Sequence, residues 1–188
     1  MFKSRLRSLL PKVGTENQRD RDDWIVGELL GLAAGSRILD AGAGLQPYRS
    51  ACSHLRYVSQ DFGKYDGKGD QVGMQTGAFE YGHLDHVCDI LSIPEEDESF
   101  DAILCSEVIE HIPDPVGALR EFSRLLRLGG KLILTAPFCS LTHFAPFHFS
   151  TGFNRYFYEH HLPLLSFRIQ SVTPNGDFHS YLAQELRR

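Results

Sequence analysis

Short apolar runs alternate along the chain with segments whose apolar positions recur every three or four residues. The runs "RILDA", "LRYVSQD" around Tyr57 and Val58, "HVCDI" up to Asp89, "SFDAILCS", "KLILTAP" and "FRIQSVTP" predict six buried-type strands. Between them the spacing is helical. In "DDWIVGELLGLAAGS", from Asp22, the positions Trp24, Ile25, Leu29 and Leu32 share a face, and Gly35 ends the segment. In "PDPVGALREFSRLLRLGG", Val116, Leu119, Phe122 and Leu126 make the apolar stripe, while Arg120, Glu121, Arg124 and Arg127 fall mainly elsewhere. Asp114 before Pro115 predicts an N-cap with proline at the first helical position. Strands of this kind alternating with amphipathic helices predict an α/β fold. Its sheet is doubly wound and mostly parallel, with helices on both faces.

Two segments depart from the alternation. Phe62 to His83, "FGKYDGKGDQVGMQTGAFEYGH", holds six glycines and little periodicity, which predicts a long functional or mobile loop with at most one helical turn. The start, "MFKSRLRSLLPK", is cationic, with an apolar stretch too short for a signal peptide. Residues 1–21 are therefore expected to be an N-terminal extension that is solvated and partly frayed, with a membrane-surface helix as the weaker alternative. Residues 22–188 are expected to form a single domain.

Composition narrows the class. The 188 residues, 42 % apolar and 23 % charged, suit a folded soluble domain. Nineteen basic against twenty-four acidic residues leave a net charge of −5, which argues against nucleic-acid binding. The longest apolar run is far short of the roughly 18 residues that would predict a stable membrane insertion. The four cysteines, Cys52, Cys88, Cys105 and Cys139, form no CxxC pair, so a reducing, cytoplasmic setting is expected.

Ligands of such sheets bind at the carboxyl ends of the strands, and the stretch "RILDAGAGLQPY" lies at the first of these ends. Gly42 and Gly44 let a ligand approach the backbone, and Asp40 can accept a hydrogen bond. Without more, the stretch is weak evidence, with a purely structural turn as the alternative. Asp61, 21 residues after Asp40, ends the second strand, the spacing at which an acid accepts from a ribose hydroxyl pair. At the third strand end Asp89 can accept from an exocyclic amine while Ile90 packs on a purine face, or Asp89 simply begins a loop. Together these positions predict an adenosine-type ligand across three strand ends. A nicotinamide nucleotide and S-adenosylmethionine both qualify. The second is favoured because Pro47 stands where a dinucleotide loop has its third glycine, and because the loop has no Lys or Arg for a phosphate.

The motifs "ILDAGAGLQPY", "YVSQD", "CDI" and "FDAILCSEVIEHIPDPVGALREFSRLLRLGGKLILTAPF" resemble the class I S-adenosylmethionine-dependent methyltransferases with their Rossmann-like sheet, in particular the broad small-molecule "type 11"-like group. The resemblance covers roughly Asp22 to Phe138. It implies that the loop Asp40, Ala41, Gly42, Ala43 and Gly44 holds the methionine end. Asp61 would hold the ribose, Asp89 and Ile90 the adenine, and Ser106 and Glu107 would face the methionine or sulfonium. Gln46 departs from the pattern, which often has a third glycine there. The implied seventh, antiparallel strand has no counterpart after "DFHSYLAQELRR", where Phe178, Leu182 and Leu186 lie at helical spacing. Either the chain is cut short before that strand or the strand is replaced. An exposed apolar face there would favour a homodimer or a further segment.

A hydroxyl acceptor needs a base, and histidine titrates nearest neutrality. The segment "APFCSLTHFAPFHFSTGFNRYFYEHH" supplies His143 and His148 as candidate catalytic residues, with Arg155 and Tyr156 in support. Phe144, Phe147, Phe149 and Tyr156 are expected to wall an apolar pocket. The segment is loosely similar to methyltransferases of polysaccharide or glycolipid assembly, which implies a small-molecule or saccharide-linked acceptor. His111 is expected to be a structural residue at a helix start. No metal is expected, because His143, His148, His160 and His161 lack carboxylate or cysteine partners at useful spacing. The rival functions are an NAD(P)-dependent oxidoreductase and a non-catalytic cofactor-binding module.

Overall fold

A computed structural model describes residues 16–186 of the chain. Its elements are α1 (Asn17–Leu30), β1 (Arg37–Ala41), β2 (Arg56–Asp61), β3 (His86–Val87), β4 (Phe100–Ser106), α2 (Pro115–Leu125), β5 (Leu126–Thr135), α3 (Arg155–Leu164) and α4 (Phe178–Glu185). Single 3₁₀ turns at Arg49–Cys52 and Ile109–His111 follow β1 and β4. The five strands are parallel in the order β3-β2-β1-β4-β5. β1 therefore has β2 on one side and β4 on the other. The chain reverses its winding there, and the crevice of a doubly wound sheet opens at that reversal.

Alternating side chains feed two cores. On one face Ile38, Ala102, Leu104 and Ile133 pack with Ile25 and Leu29 of α1 and with Tyr48 and Cys52. On the other, Leu39, Ile103 and Cys105 pack with Leu119, Phe122 and Leu125 of α2, and Phe157 and Leu162 of α3 join them. Each central strand is buried on both sides, which is why its apolar run is continuous rather than alternating. Asp114 caps α2, its carboxylate accepting from the Gly117 amide at 2.8 Å.

Several boundaries differ from expectation. α1 begins at Asn17, five residues before Asp22, and Trp24 is 38 % exposed rather than part of the buried stripe. The rest of the expected extension, residues 1–15, lies outside the described residues. α2 passes straight into β5, whose first residue, Leu126, pairs with Phe100. Gly129 and Gly130 fall inside β5, at a bulge where the next pairing is Ala102 with Lys131, and they do not precede the strand. β3 keeps only two residues.

The expected sixth strand does not form. Phe167 to Gln170 keep an in-out alternation of burial, but no ladder joins them to the sheet. Among the described residues no antiparallel strand pairs with β5. The 62–83 segment has no helical turn; it is held by side chains, by one parallel bridge, Met74 to His143, and by further main-chain bonds such as that from the Asp70 amide to the Ala145 carbonyl. The four cysteines are free. No described helix is long and apolar enough to cross a membrane.

Candidate functional site

At the crevice the turn after β1 folds onto the end of β2. The amides of Gly42 and Ala43 both donate to the Gln60 carbonyl, at 2.9 and 2.8 Å. The Gly44 amide donates to Asp61 Oδ2 at 2.9 Å, and the Gly63 amide to Oδ1 at 3.0 Å. Gly42 has φ +74°, and a Cβ there would stand 2.5 Å from a methyl of Val108, so both conformation and space demand glycine.

Gln46 also adopts the left-handed region, at φ 56°. Its side chain compensates, donating to the His83 carbonyl at 2.7 Å and accepting from Arg49 Nη1 at 2.6 Å. The loop thus has, at Gln46, the backbone geometry that a third glycine would adopt without strain.

Asp40 and Asp61 are both nearly inaccessible. Asp40 accepts from the Tyr57 hydroxyl at 2.5 Å, yet burial, with Asp61 nearby, pushes its carboxyl up to about 6. Burial also raises Asp61, against the opposing hydrogen bonds from the Gly63 and Gly44 amides. The Phe62 amide and the Tyr81 hydroxyl also donate to Asp61, so its roughly four acceptor positions are engaged and a ligand hydroxyl would displace or share one of these donors. Asp89 is exposed, with Oδ1 accepting from the Leu91 amide at 2.9 Å. Ile90 is buried in the core beside Leu39 and Ile103, so its side chain is largely spent on packing.

Ser106 and Glu107 end β4. Ser106 Oγ lies 3.0 Å from Thr135 Oγ1, and Glu107, at φ 55°, turns back to pair with Arg21 at 2.9 Å. Carboxylates at three successive strand ends beside a glycine turn form an acceptor-rich set. That chemistry fits the hydroxyls and amine of an adenosine-type ligand.

The 62–83 segment adds residues that its sequence pattern did not single out. Phe79 lies against Gly44, 3.3 Å from where a Cβ would be. Tyr65, Phe79 and Phe144 pack on one another, with Tyr65 stacked on Phe144 at 4.4 Å between centroids. Phe144 also meets His111 at 5.1 Å, which carries the aromatic layer from the glycine turn to the histidines.

His143 and His148 do come together, 4.7 Å between ring centroids. His111 completes the group, 4.8 Å from His143 and 5.7 Å from His148. Burial, and the two neighbouring imidazoles, push His111 down to about 4. His111 is therefore not merely a helix-start residue, and the group that could bind an ion includes it in place of His160 and His161. The thirty-one residues between His111 and His143 hide this grouping from local spacing. Of the expected supports, Arg155 binds Glu159 on its own helix and Tyr156 is 71 % exposed. Phe147 packs edge-on against Phe62, and Phe149 is half-exposed.

One further carboxyl was not anticipated. Glu110 is fully buried, neither oxygen has a hydrogen-bond partner among the described residues, and burial, with Glu107 near, raises it to about 8. Oε1 lies 3.7 Å from His111 Nε2. With Glu110 protonated and His111 neutral at pH 7, the two do not form an ion pair.

The chain matches the family model described as "Methyltransferase domain" over residues 39–134. A demethylmenaquinone methyltransferase of Mycobacterium sp. (strain KMS) is 30 % identical over 164 residues, covering 84 % of this chain and 63 % of the relative. A ubiquinone biosynthesis O-methyltransferase of Xanthomonas oryzae pv. oryzae (strain PXO99A) is 32 % identical over 105 residues, 54 % of this chain and 43 % of its own. The chain thus spans about 63 % of the length of the demethylmenaquinone relative. Among solved structures, the YcgJ protein of Bacillus subtilis shares the fold, with TM-score 0.51 and 22 % identity, over 65 % of this chain and 52 % of its own.

Proposed function

For a chain that belongs to the methyltransferase domain family, we propose transfer of the methyl group of S-adenosylmethionine to an oxygen of a small-molecule acceptor. The observation that carries the proposal is the union of the glycine turn with Asp61, whose carboxylate takes the Gly44 and Gly63 amides at the β1–β2 end. In this reading the turn from Asp40 through Ala41, Gly42 and Ala43 to Gly44 lies along the methionine end. Asp61 accepts from the ribose hydroxyls, and Asp89 and the edge of Ile90 meet the adenine. Ser106 and Glu107 close the methionine side.

Bound S-adenosylmethionine supplies a methyl already activated on a sulfonium, so the chain's main work is alignment of the acceptor. A hydroxyl acceptor must also lose a proton. That task falls to the histidine cluster, where His143 and His148 are joined by His111. The aromatic layer of buried Tyr65 with half-buried Phe79 and Phe144 would limit water between the two halves of the site.

The oxygen acceptor is supported by the Xanthomonas relative, named as an O-methyltransferase. The saccharide-linked acceptor expected from the sequence finds no support in the relatives named above, and neither does the oxidoreductase alternative. The homodimer expectation is likewise unsupported, although Phe178 and Leu186 are well exposed on and just after α4.

The test is formation of S-adenosylhomocysteine with a panel of phenolic and aliphatic hydroxyl compounds. Acceptor-dependent product supports the proposal. Cofactor binding without product across the panel would favour the non-catalytic module.

A further inference from the structure

His111, His143 and His148 each place one ring nitrogen within 4.8 Å of those of the other two. The three rings are inclined to one another by 57° to 84°, so none is stacked face to face with its neighbour.

Main-chain bonds orient two of the rings. His111 Nδ1 lies 2.5 Å from the Phe147 carbonyl, and His143 Nδ1 lies 2.9 Å from the Leu141 carbonyl. A carbonyl can only accept, so each Nδ1 carries the hydrogen and each Nε2 keeps its lone pair. This is how metal-binding histidines are usually held, with the second nitrogen donating to a carbonyl.

The third ring supplies an independent observation. Both nitrogens of His148 are shielded from solvent and have no hydrogen-bond partner among the described residues, although the ring as a whole is only half-buried. A shielded ring nitrogen without a partner is costly and rare, and a ligand atom is its natural complement.

The backbone between the rings is tied as well. The amides of Phe149 and Ser150 both donate to the Glu110 carbonyl, at 2.9 and 3.1 Å, which joins the chain just past His148 to the residue before His111. Met74 and His143 are bridged through Met74 N to Thr142 O and Phe144 N to Met74 O.

We propose that His111, His143 and His148 bind one divalent transition-metal ion of the zinc class, with a coordination position left open. Three neutral imidazoles suit zinc, copper, iron or nickel and not the oxygen-seeking magnesium or calcium. In a tetrahedral site with bonds of about 2.0–2.1 Å, ligand nitrogens stand about 3.3 Å apart. Binding therefore draws the rings together from their present spread. Three protein ligands and an open fourth position are the pattern of reactive zinc sites rather than closed structural ones. That the open position receives the acceptor hydroxyl rests on the methyltransferase reading; the site itself does not. A ligated imidazole cannot take up a proton, so the ion would replace direct proton uptake by His143 or His148.

The experiment uses the full chain stripped with a chelator and dialysed. Zinc binding is followed by calorimetry, cobalt binding by the visible absorption of a tetrahedral ion, and S-adenosylmethionine binding is titrated separately. One zinc per chain is expected, together with a tetrahedral cobalt spectrum. His143→Gln and His148→Gln should each weaken binding by at least about tenfold. His160→Gln/His161→Gln should leave it unchanged. His148→Gln removes no hydrogen bond, so its fold is expected to survive even if that of His111→Gln does not.

Absence of zinc binding, or zinc binding unaltered in His148→Gln, overturns the proposal. If S-adenosylmethionine still binds in that case, the methyltransferase reading stands. If zinc binds and S-adenosylmethionine does not, the metal site stands and that reading fails.

Discussion

The amide of Gly44 donates to Oδ2 of Asp61 at 2.9 Å, joining the turn after the first strand to the end of the second. One carboxylate thereby shapes the glycine turn, and the proposed function asks it to hold the ribose as well. Asp61→Ala is expected to weaken S-adenosylmethionine binding by about 1–3 kcal/mol, through loss of charged hydrogen bonds. Calorimetry on a variant with an unaltered circular dichroism spectrum measures this. Unchanged affinity would remove Asp61 from the site.

Gly42 is held against Val108. Gly42→Ala combines a left-handed backbone with a methyl 2.5 Å from a Val108 methyl. It is expected to cost about 2–5 kcal/mol in urea unfolding. Adding Val108→Ala should relieve the clash but not the backbone strain. A favourable coupling of about 1–2 kcal/mol in the double-mutant cycle is therefore expected, and additive losses would contradict it.

Much of this arrangement was legible in the sequence. Glycine, acid and strand end coincide at Asp40 to Gly44 and at Asp61, because a tight turn and a buried acceptor require particular residue types. The Asp114–Pro115 helix start was legible for the same reason. Tertiary facts were not. Nothing local marks His111 as a neighbour of His143, since β5 and the loop after it bring them together. "FRIQSVTP" has strand-like alternation, but a strand also needs an edge to pair with, and its pattern cannot say whether one is available. Gln46 looked like a departure because residue type was read without conformation.

Gln46 at φ 56° makes a specific stability prediction. Gln46→Gly removes the strain but loses two side-chain hydrogen bonds, each worth about 1 kcal/mol. The net change in unfolding free energy is expected to stay within about 1 kcal/mol. Gln46→Val loses the same bonds and adds β-branched strain, for a cost of about 2–4 kcal/mol. Equal stabilities of the two variants would refute the account of the turn.

Asp40 gives the fold a pH dependence. Its carboxyl titrates at about 6 in the folded chain, against about 3.9 when unfolded. Between these values the native state binds more protons than the unfolded state, so this residue's contribution to stability falls as pH rises from about 4 to 6 and is level above. The loss is about 2–3 kcal/mol. Asp40→Asn should remove this part of the slope in urea titrations at several pH values. An unchanged slope would place the proton elsewhere.

The central claim is that the strand ends from Asp40 to Glu107 hold S-adenosylmethionine. Its most direct test is calorimetric titration of the purified chain with S-adenosylmethionine, S-adenosylhomocysteine and NADH in parallel. Micromolar binding of the first two with no heat from NADH is the predicted result. NADH binding with silence from the sulfonium pair, or silence from all three, would contradict it.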